Sequence, residues 1–175
     1  MRRAVFLDRD GVINRSIIRE GKPFPPISLD ELVILPGVHK ALSLLRTAGY
    51  LLIVVTNQPD VARGTTSKKS VETLNTSLQG QLPIDAIFPC YHDDSDKCIC
   101  RKPKPGLLLA AARKFNVNFA TSYMVGDRWR DIEAGLAVGC KTFFIDYGYA
   151  EKQPELFDFR VSSLREAAII IIGEG

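Results

Sequence analysis

Ala4-Val5-Phe6-Leu7-Asp8-Arg9-Asp10-Gly11 is the stretch that decides how this chain reads. Four apolar residues ending abruptly in charge predict a short strand buried on both faces, closing at Asp8. The same grammar recurs outward from it. Pro36-Gly37 opens a helix with Val38, Ala41, Leu42, Leu44 and Leu45 at helical spacing, and Gly49 ends it. Leu51 to Val55 is a second strand running into Thr56-Asn57-Gln58. Ser67 caps a helix to about Leu78, and Ala86-Ile87-Phe88 is a brief strand. Gly106 to Phe115 is helical, Tyr123 to Val125 a strand, Arg130 to Val138 a helix and Thr142 to Ile145 a strand. A last strand and helix follow from Phe157 onward. This alternation predicts an α/β architecture: a three-layer, doubly wound parallel sheet with helices on both faces. Ligands of such sheets bind beyond the carboxyl ends of the strands. The Pro-rich stretch Gly21 to Ser28 reads as a loop folded over that site.

Composition narrows the class. The chain has 175 residues, 46% hydrophobic and 25% charged, which predicts one globular domain over 1–175 and excludes disordered and disulfide-scaffold proteins. Lys and Arg number 23 against 20 acids, a balance that argues against nucleic acid as partner. The N-terminus lacks the pattern of a signal peptide, and Ala167 to Ile172 is too short to span a membrane. A reducing, cytoplasmic setting is the expectation. There, clustered cysteines bind metal more often than they pair, and three of the 4 cysteines lie between Cys90 and Cys100.

The strand ends carry the chemistry. Asp8 and Asp10 alone could simply cap a strand, but Asp127 follows another strand in the same way. Three carboxylates on one rim repel each other unless a hard cation joins them, and Mg²⁺ fits. Asp131, one helical turn on, is placed either to support the site or to cap its own helix. Thr56-Asn57-Gln58 offers a hydroxyl and backbone N–H groups to a phosphoryl oxygen, although Thr-Asn is also common in turns. Arg101-Lys102-Pro103-Lys104-Pro105-Gly106 sets basic residues at a helix start, where an anion explains them better than the helix dipole does; taken alone it is a solvated basic loop. Together these pieces suit phosphate monoester hydrolysis, with a carboxylate nucleophile and a second carboxylic acid for proton transfer.

Asp8-Arg9-Asp10-Gly11-Val12-Ile13-Asn14, Thr56-Asn57-Gln58, Arg101-Lys102-Pro103 and Gly126-Asp127 resemble the four motifs of haloacid dehalogenase-like phosphatases. The resemblance is closest to the heptose bisphosphate phosphatase and histidinol-phosphatase branch, which has a Rossmann-like fold with a minimal cap. It implies Asp8 as nucleophile, Asp10 as general acid/base, and Mg²⁺ on Asp8, the carbonyl of Asp10, and Asp127. It further implies Thr56 and Lys102 at the phosphoryl group and Arg101 toward the substrate beyond it; Asn57, Gln58, Arg63 and Arg128 are the other candidates for substrate contact. Cys90, His92, Cys98 and Cys100 supply three thiolates and an imidazole, a closed set for a structural Zn²⁺; the resembling branch carries the same arrangement. Cys140 reads as core.

Several positions depart from that branch. Pro59-Asp60-Val61 replaces the usual Ser-Gly-Ile, Arg128 the usual Lys, and the zinc loop between His92 and Cys98 is short. Arg15, Arg19, Arg63 and Arg128 could hold a second phosphate, with Arg15 and Arg19 reading first as solvated surface. The expected substrate is a small phosphorylated metabolite, a sugar bisphosphate foremost and histidinol phosphate second, for a monomer with no nucleic-acid or membrane partner. A zinc-stapled binding module without catalysis is the reading from another class.

Overall fold

In the computed structural model, which describes residues 1–174, the apolar runs form the middle of one parallel sheet. The strands are β1 (Ala4–Leu7), β2 (Ile17–Arg19), β3 (Lys22–Phe24), β4 (Leu51–Asn57), β5 (Ala86–Cys90), β6 (Tyr123–Gly126), β7 (Lys141–Ile145) and β8 (Phe159–Val161). The helices are α1 (Val38–Thr47), α2 (Lys68–Gln81), α3 (Gly106–Phe115), α4 (Trp129–Ala137) and α5 (Leu164–Glu174). The six-stranded sheet has the order β5-β4-β1-β6-β7-β8, every pairing parallel.

Alternation along each central strand divides the core. Val5, Leu7, Leu52 and Val54 face α1 and α5, packing on Val38, Leu42, Leu45, Leu164 and Ile171. Ala4, Phe6, Ile53 and Val55 face the other way, onto Leu107, Leu108 and Ala111 of α3 and Ala134 of α4. Both faces of β1 are covered, and all its residues are buried, as a run of four apolar residues demands. Cys140 joins the second of these cores.

The chain leaves β1 for β4 and β5 on one side, then crosses to β6, β7 and β8 on the other. The reversal of strand order therefore falls at β1, where a doubly wound sheet opens its ligand crevice. Asp8 lies at that crevice.

Two local features differ from the sequence reading. Strands β4 and β5 each run two residues past their apolar stretches, because the ladder continues through Thr56↔Pro89 and Asn57↔Cys90. The Pro-rich stretch is only partly loop: β2 and β3 form an antiparallel hairpin, turning at Glu20 and Gly21, both at positive φ (50° and 72°). That is the backbone a tight hairpin turn needs, reached here without the usual Asn-Gly signal. Ser67 caps α2 as expected, its hydroxyl accepting from the Ser70 N–H at 3.0 Å. Among the described residues, no helix is long and apolar enough to cross a membrane.

Candidate active site

Two glycines let the carboxylates meet. Gly11 lies at φ +88°, and a Cβ there would sit 1.9 Å from Asp127 Oδ2. At Gly126, a Cβ would fall 2.1 Å from the Cβ of Asp131. Any side chain at either position would push a carboxylate away. With both absent, Asp8, Asp127 and Asp131 offer oxygens that all lie within 4.8 Å of one another. Lys102, 1% exposed, reaches into this group. Its ammonium donates to Asp8 Oδ1 at 2.9 Å, Asp131 Oδ1 at 2.6 Å and the Val55 carbonyl at 2.7 Å.

The charges decide what belongs there. Three carboxylates against one ammonium leave two negative charges, the complement of one divalent cation. Without it, like charges about 4 Å apart cost on the order of 4 kcal/mol even at an effective dielectric of about 20. Burial, and then the neighbouring Asp131, push the Asp8 carboxyl up to about 6. Burial and Asp8 raise Asp127 well above the usual carboxylate range. Burial works to lower Lys102, but Asp131 and Asp8 outweigh it and hold the ammonium charged. The free lone pairs agree. Asp131 uses both oxygens, on Lys102 and on the Arg128 N–H at 3.0 Å, so it both supports the site and caps α4. Asp127 Oδ2 accepts from the Tyr149 hydroxyl at 2.8 Å, whereas its buried Oδ1 has no partner among the described residues. Asp8 and Asp127 are thus the carboxylates with capacity for a hard cation.

Asp10 is held differently. It accepts from Asn14 Nδ2 at 2.9 Å and Gln58 Nε2 at 2.8 Å, and from a two-pronged contact with Arg9. Gln58, expected at the substrate, is 1% exposed and also donates to Thr56 Oγ1 at 3.0 Å. Those two contacts brace Asp10 and Thr56. Asn57 clamps the backbone of Lys102 in both directions, at 3.0 Å each.

A cleft of about 360 Å³ opens in front of these groups, bordered by Asp8, Asp10, Lys102, the hairpin residues Lys22 to Pro25, and an outer rim of arginines. Arg63 forks onto Asp93 at 2.8 and 2.7 Å. Arg101 donates to Asp94 at 2.8 Å, and Arg130 reaches the same Asp94 at 3.2 Å. Arg128 is paired with Glu151, which engages it more fully than the sequence reading anticipated. Arg15 and Arg19 are exposed and do not line the cleft; Arg19 lies over the Phe24 ring at 5.4 Å.

Behind the rim stands the cysteine cluster. The Cys90, His92, Cys98 and Cys100 donor atoms lie 3.0 to 3.8 Å apart in five of their pairings. A tetrahedral Zn²⁺ with Zn–S bonds of about 2.3 Å needs edges of roughly 3.8 Å, so the donors are already gathered to near that size. Cys98 also accepts from the Arg101 N–H at 3.4 Å, joining this cluster to the rim. A Cβ at Gly106 would sit 2.3 Å from the Ile99 carbonyl, so the loop seats directly on the start of α3.

The haloacid dehalogenase-like hydrolase family matches residues 25–139 of this chain. The chain belongs to that family. It is 38% identical over 153 residues to the D-glycero-beta-D-manno-heptose-1,7-bisphosphate 7-phosphatase of Haemophilus ducreyi, covering 81% of each chain. To the enzyme of the same name from Escherichia coli K12 it is 35% identical, covering 79% of this chain and 76% of that one. The crystal structure of D,D-heptose 1,7-bisphosphate phosphatase from Bordetella bronchiseptica, complexed with magnesium and phosphate, superposes with a TM-score of 0.79 over 99% of both chains at 29% identity. This hydrolase is a phosphatase.

The cleft is also bordered or strapped by residues that the sequence did not single out. Ser16 Oγ is buried at the cleft without a hydrogen-bond partner among the described residues, as is Nη1 of Arg101, a residue the sequence did single out. Arg130 and Asp94 carry no motif signal. The segment after β7 straps the site: Tyr147 donates to the Gly11 carbonyl at 2.9 Å, Tyr149 holds Asp127, and Ala150 N–H bonds the Gly21 carbonyl at 2.8 Å. Its two tyrosines, spaced two apart beyond an apolar strand, were the available clue.

Proposed function

We propose that this phosphatase removes the 7-phosphate of D-glycero-D-manno-heptose 1,7-bisphosphate through an aspartyl-phosphate on Asp8. One observation carries the reading: a buried nucleophile and ammonium face an open cleft whose far rim bears Lys22, Arg63, Arg101 and Arg130, cations suited to a second phosphate. Histidinol phosphate, whose far end is cationic, matches that rim less well. Arg101 offers an unpartnered Nη1 to the substrate beyond the reacting phosphate.

Asp8 attacks the phosphoryl group, with Lys102 holding the attacking carboxylate and drawing the phosphate inward. Thr56 accepts from Gln58, so its hydroxyl proton stays free for a phosphoryl oxygen. Asp10 protonates the leaving alcohol, then takes the proton of the water that hydrolyses the intermediate. Mg²⁺, held by Asp8, Asp127 and the Asp10 carbonyl, supplies the charge that lets an anionic nucleophile meet an anionic phosphate. Zn²⁺ on Cys90, His92, Cys98 and Cys100 is structural, fixing the backbone before Arg101 and Lys102. Residues 1–175 act as a single domain, a monomer working in a reducing cytoplasm where these thiolates hold metal.

A phosphate-release panel tests the substrate. It contains both anomers of heptose 1,7-bisphosphate, histidinol phosphate and common sugar phosphates. The expected result is a kcat/KM preference of about 100-fold for a heptose bisphosphate, equivalent to about 2.7 kcal/mol. Preference for a monophosphate overturns the assignment.

A further inference from the structure

Arg9 is the least expected residue of the site: an arginine with no exposed surface, lying between two aspartates in sequence. Its guanidinium spans two elements. Nε and Nη2 each lie 3.1 Å from the Asp10 carboxylate, and Nη1 donates at 2.9 Å to Oδ1 of Asn75 in α2. Asn75 is itself only 7% exposed, on the helix face that carries Val71, Leu74 and Leu78 into the core. A polar side chain on such a face needs a partner, and Arg9 supplies it. The fork fixes the carboxylate plane of Asp10 with the geometry that suits a planar, rigid donor. The remaining contacts, from Asn14 and Gln58, come from the loop that follows Asp10 and the turn after β4. Asn75 is therefore the point at which the carboxylate is anchored to a helix.

We infer that Arg9 and Asn75 are positioning residues, which together hold the Asp10 carboxylate at the angle from which it protonates the leaving alcohol. This rests on the acid/base role proposed for Asp10. Neither side chain borders the cleft, so neither touches substrate. Their effect passes through Asp10 alone: it is felt where the leaving group needs a proton, and again where Asp10 takes one from the attacking water.

The test compares two phosphate monoesters in each variant: the most active alkyl phosphate of the substrate panel, and p-nitrophenyl phosphate. The alkoxide needs protonation, whereas p-nitrophenolate departs without it. The reading is kcat/KM, which covers steps through departure of the alcohol and leaves out hydrolysis of the intermediate. Asp10→Asn calibrates the effect. Arg9→Met should lower kcat/KM for the alkyl ester about 100-fold, at the low end of what a positioned acid contributes, and for p-nitrophenyl phosphate less than about 5-fold. Asn75→Leu, which keeps the volume and removes the acceptor, should show the same selective loss at about 5- to 10-fold. Asn75→Asp, which returns an acceptor to Arg9, should restore the parent ratio. Asn75→Leu decides the matter if Arg9→Met does not fold. Equal losses on both esters would mean a merely structural role and overturn the inference, as would an unchanged ratio in Asn75→Leu. If Asp10→Asn lacks the selective loss, the acid/base assignment itself has failed; if it shows the loss and the Arg9 and Asn75 variants do not, only the positioning relay has failed.

Discussion

The inner end of the cleft and its outer rim are built from the same kinds of group, and they differ in how those groups are held. At the inner end, Asp8, Asp127, Asp131 and Lys102 are all buried, and Lys102 makes three short contacts at once. At the rim, Arg63 and Asp94 are 44% and 59% exposed as side chains, so each ion pair has at least one partner in water. Buried charges interact strongly and leave their partners stranded when one is removed, whereas exposed pairs contribute little. The inner end is thus fixed before substrate arrives. The rim can exchange its internal carboxylates for those of a ligand.

The sharpest break of that contrast is Asp8→Asn. It should reduce turnover at least about 10⁴-fold while the melting temperature holds or rises, because Lys102 keeps Asp131 as its partner and one of three mutually repelling carboxylates is removed. Phosphate release near the parent rate would remove Asp8 as nucleophile and make the inner end no different in kind from the rim.

Cys98→Ser tests the staple between the two regions. Zinc content by metal analysis should fall from about one per chain, and the melting temperature should drop by about 6–12 °C, corresponding to about 3 kcal/mol. The loss in kcat/KM should exceed that in p-nitrophenyl phosphate turnover, since Cys98 touches the Arg101 backbone rather than Asp8. Protein prepared without chelators that carries no zinc would separate the rim from any metal support.

The sequence displayed these two regions unequally. The strand β1, the Ser67 cap and the bounds of α3 were readable because burial periodicity and capping act over a few neighbouring residues. Asp8 and Asp127 were readable too, since each follows a buried strand and the fold brings strand ends together, whereas Asp131, inside α4, was open to two readings. The rim was not. Asp94 meets Arg130 across 36 positions, and Glu151 meets Arg128 across 23, and no local pattern encodes such pairs. The β2–β3 hairpin was hidden by Pro23 and by a Glu-Gly turn. The contact of Gln58 with Asp10 was not legible either, because a motif shows which residues cluster and not which way each side chain faces.

Acidity probes the inner end next. Asp8 is pushed up to about 6 by burial and then Asp131, and Asp127 is raised well above its ordinary value by burial and then Asp8. In the unfolded chain both return to near 4. The folded state therefore binds protons that the unfolded state releases, and stability must fall as pH rises through the folded values. Protein dialysed free of Mg²⁺ should melt lower at pH 7.5 than at pH 5.5, by on the order of 2 kcal/mol or about 4–8 °C. Millimolar Mg²⁺ should recover most of that loss at pH 7.5 and little at pH 5.5. A melting temperature indifferent to pH and Mg²⁺ would mean that the three carboxylates do not share a cation.

The smallest effect belongs to the rim, and its smallness is the point. Asp94 sits between Arg101 and Arg130, and a phosphate reaching those arginines must take its place. The exchange trades one anion for another beside an exposed carboxylate, where salt screens both. Asp94→Asn should therefore lower KM for a bisphosphate roughly 2- to 5-fold at low ionic strength, with kcat unchanged and the gain fading by about 0.5 M salt. A monophosphate that lacks the second anion should respond less. If kcat changed as well, the pair would be coupled to the buried Lys102 through Arg130, which already lies 3.4 Å from its carbonyl. Rim and inner end would then be one electrostatic unit, and the division between a rigid catalytic floor and an exchangeable entrance would have to be withdrawn.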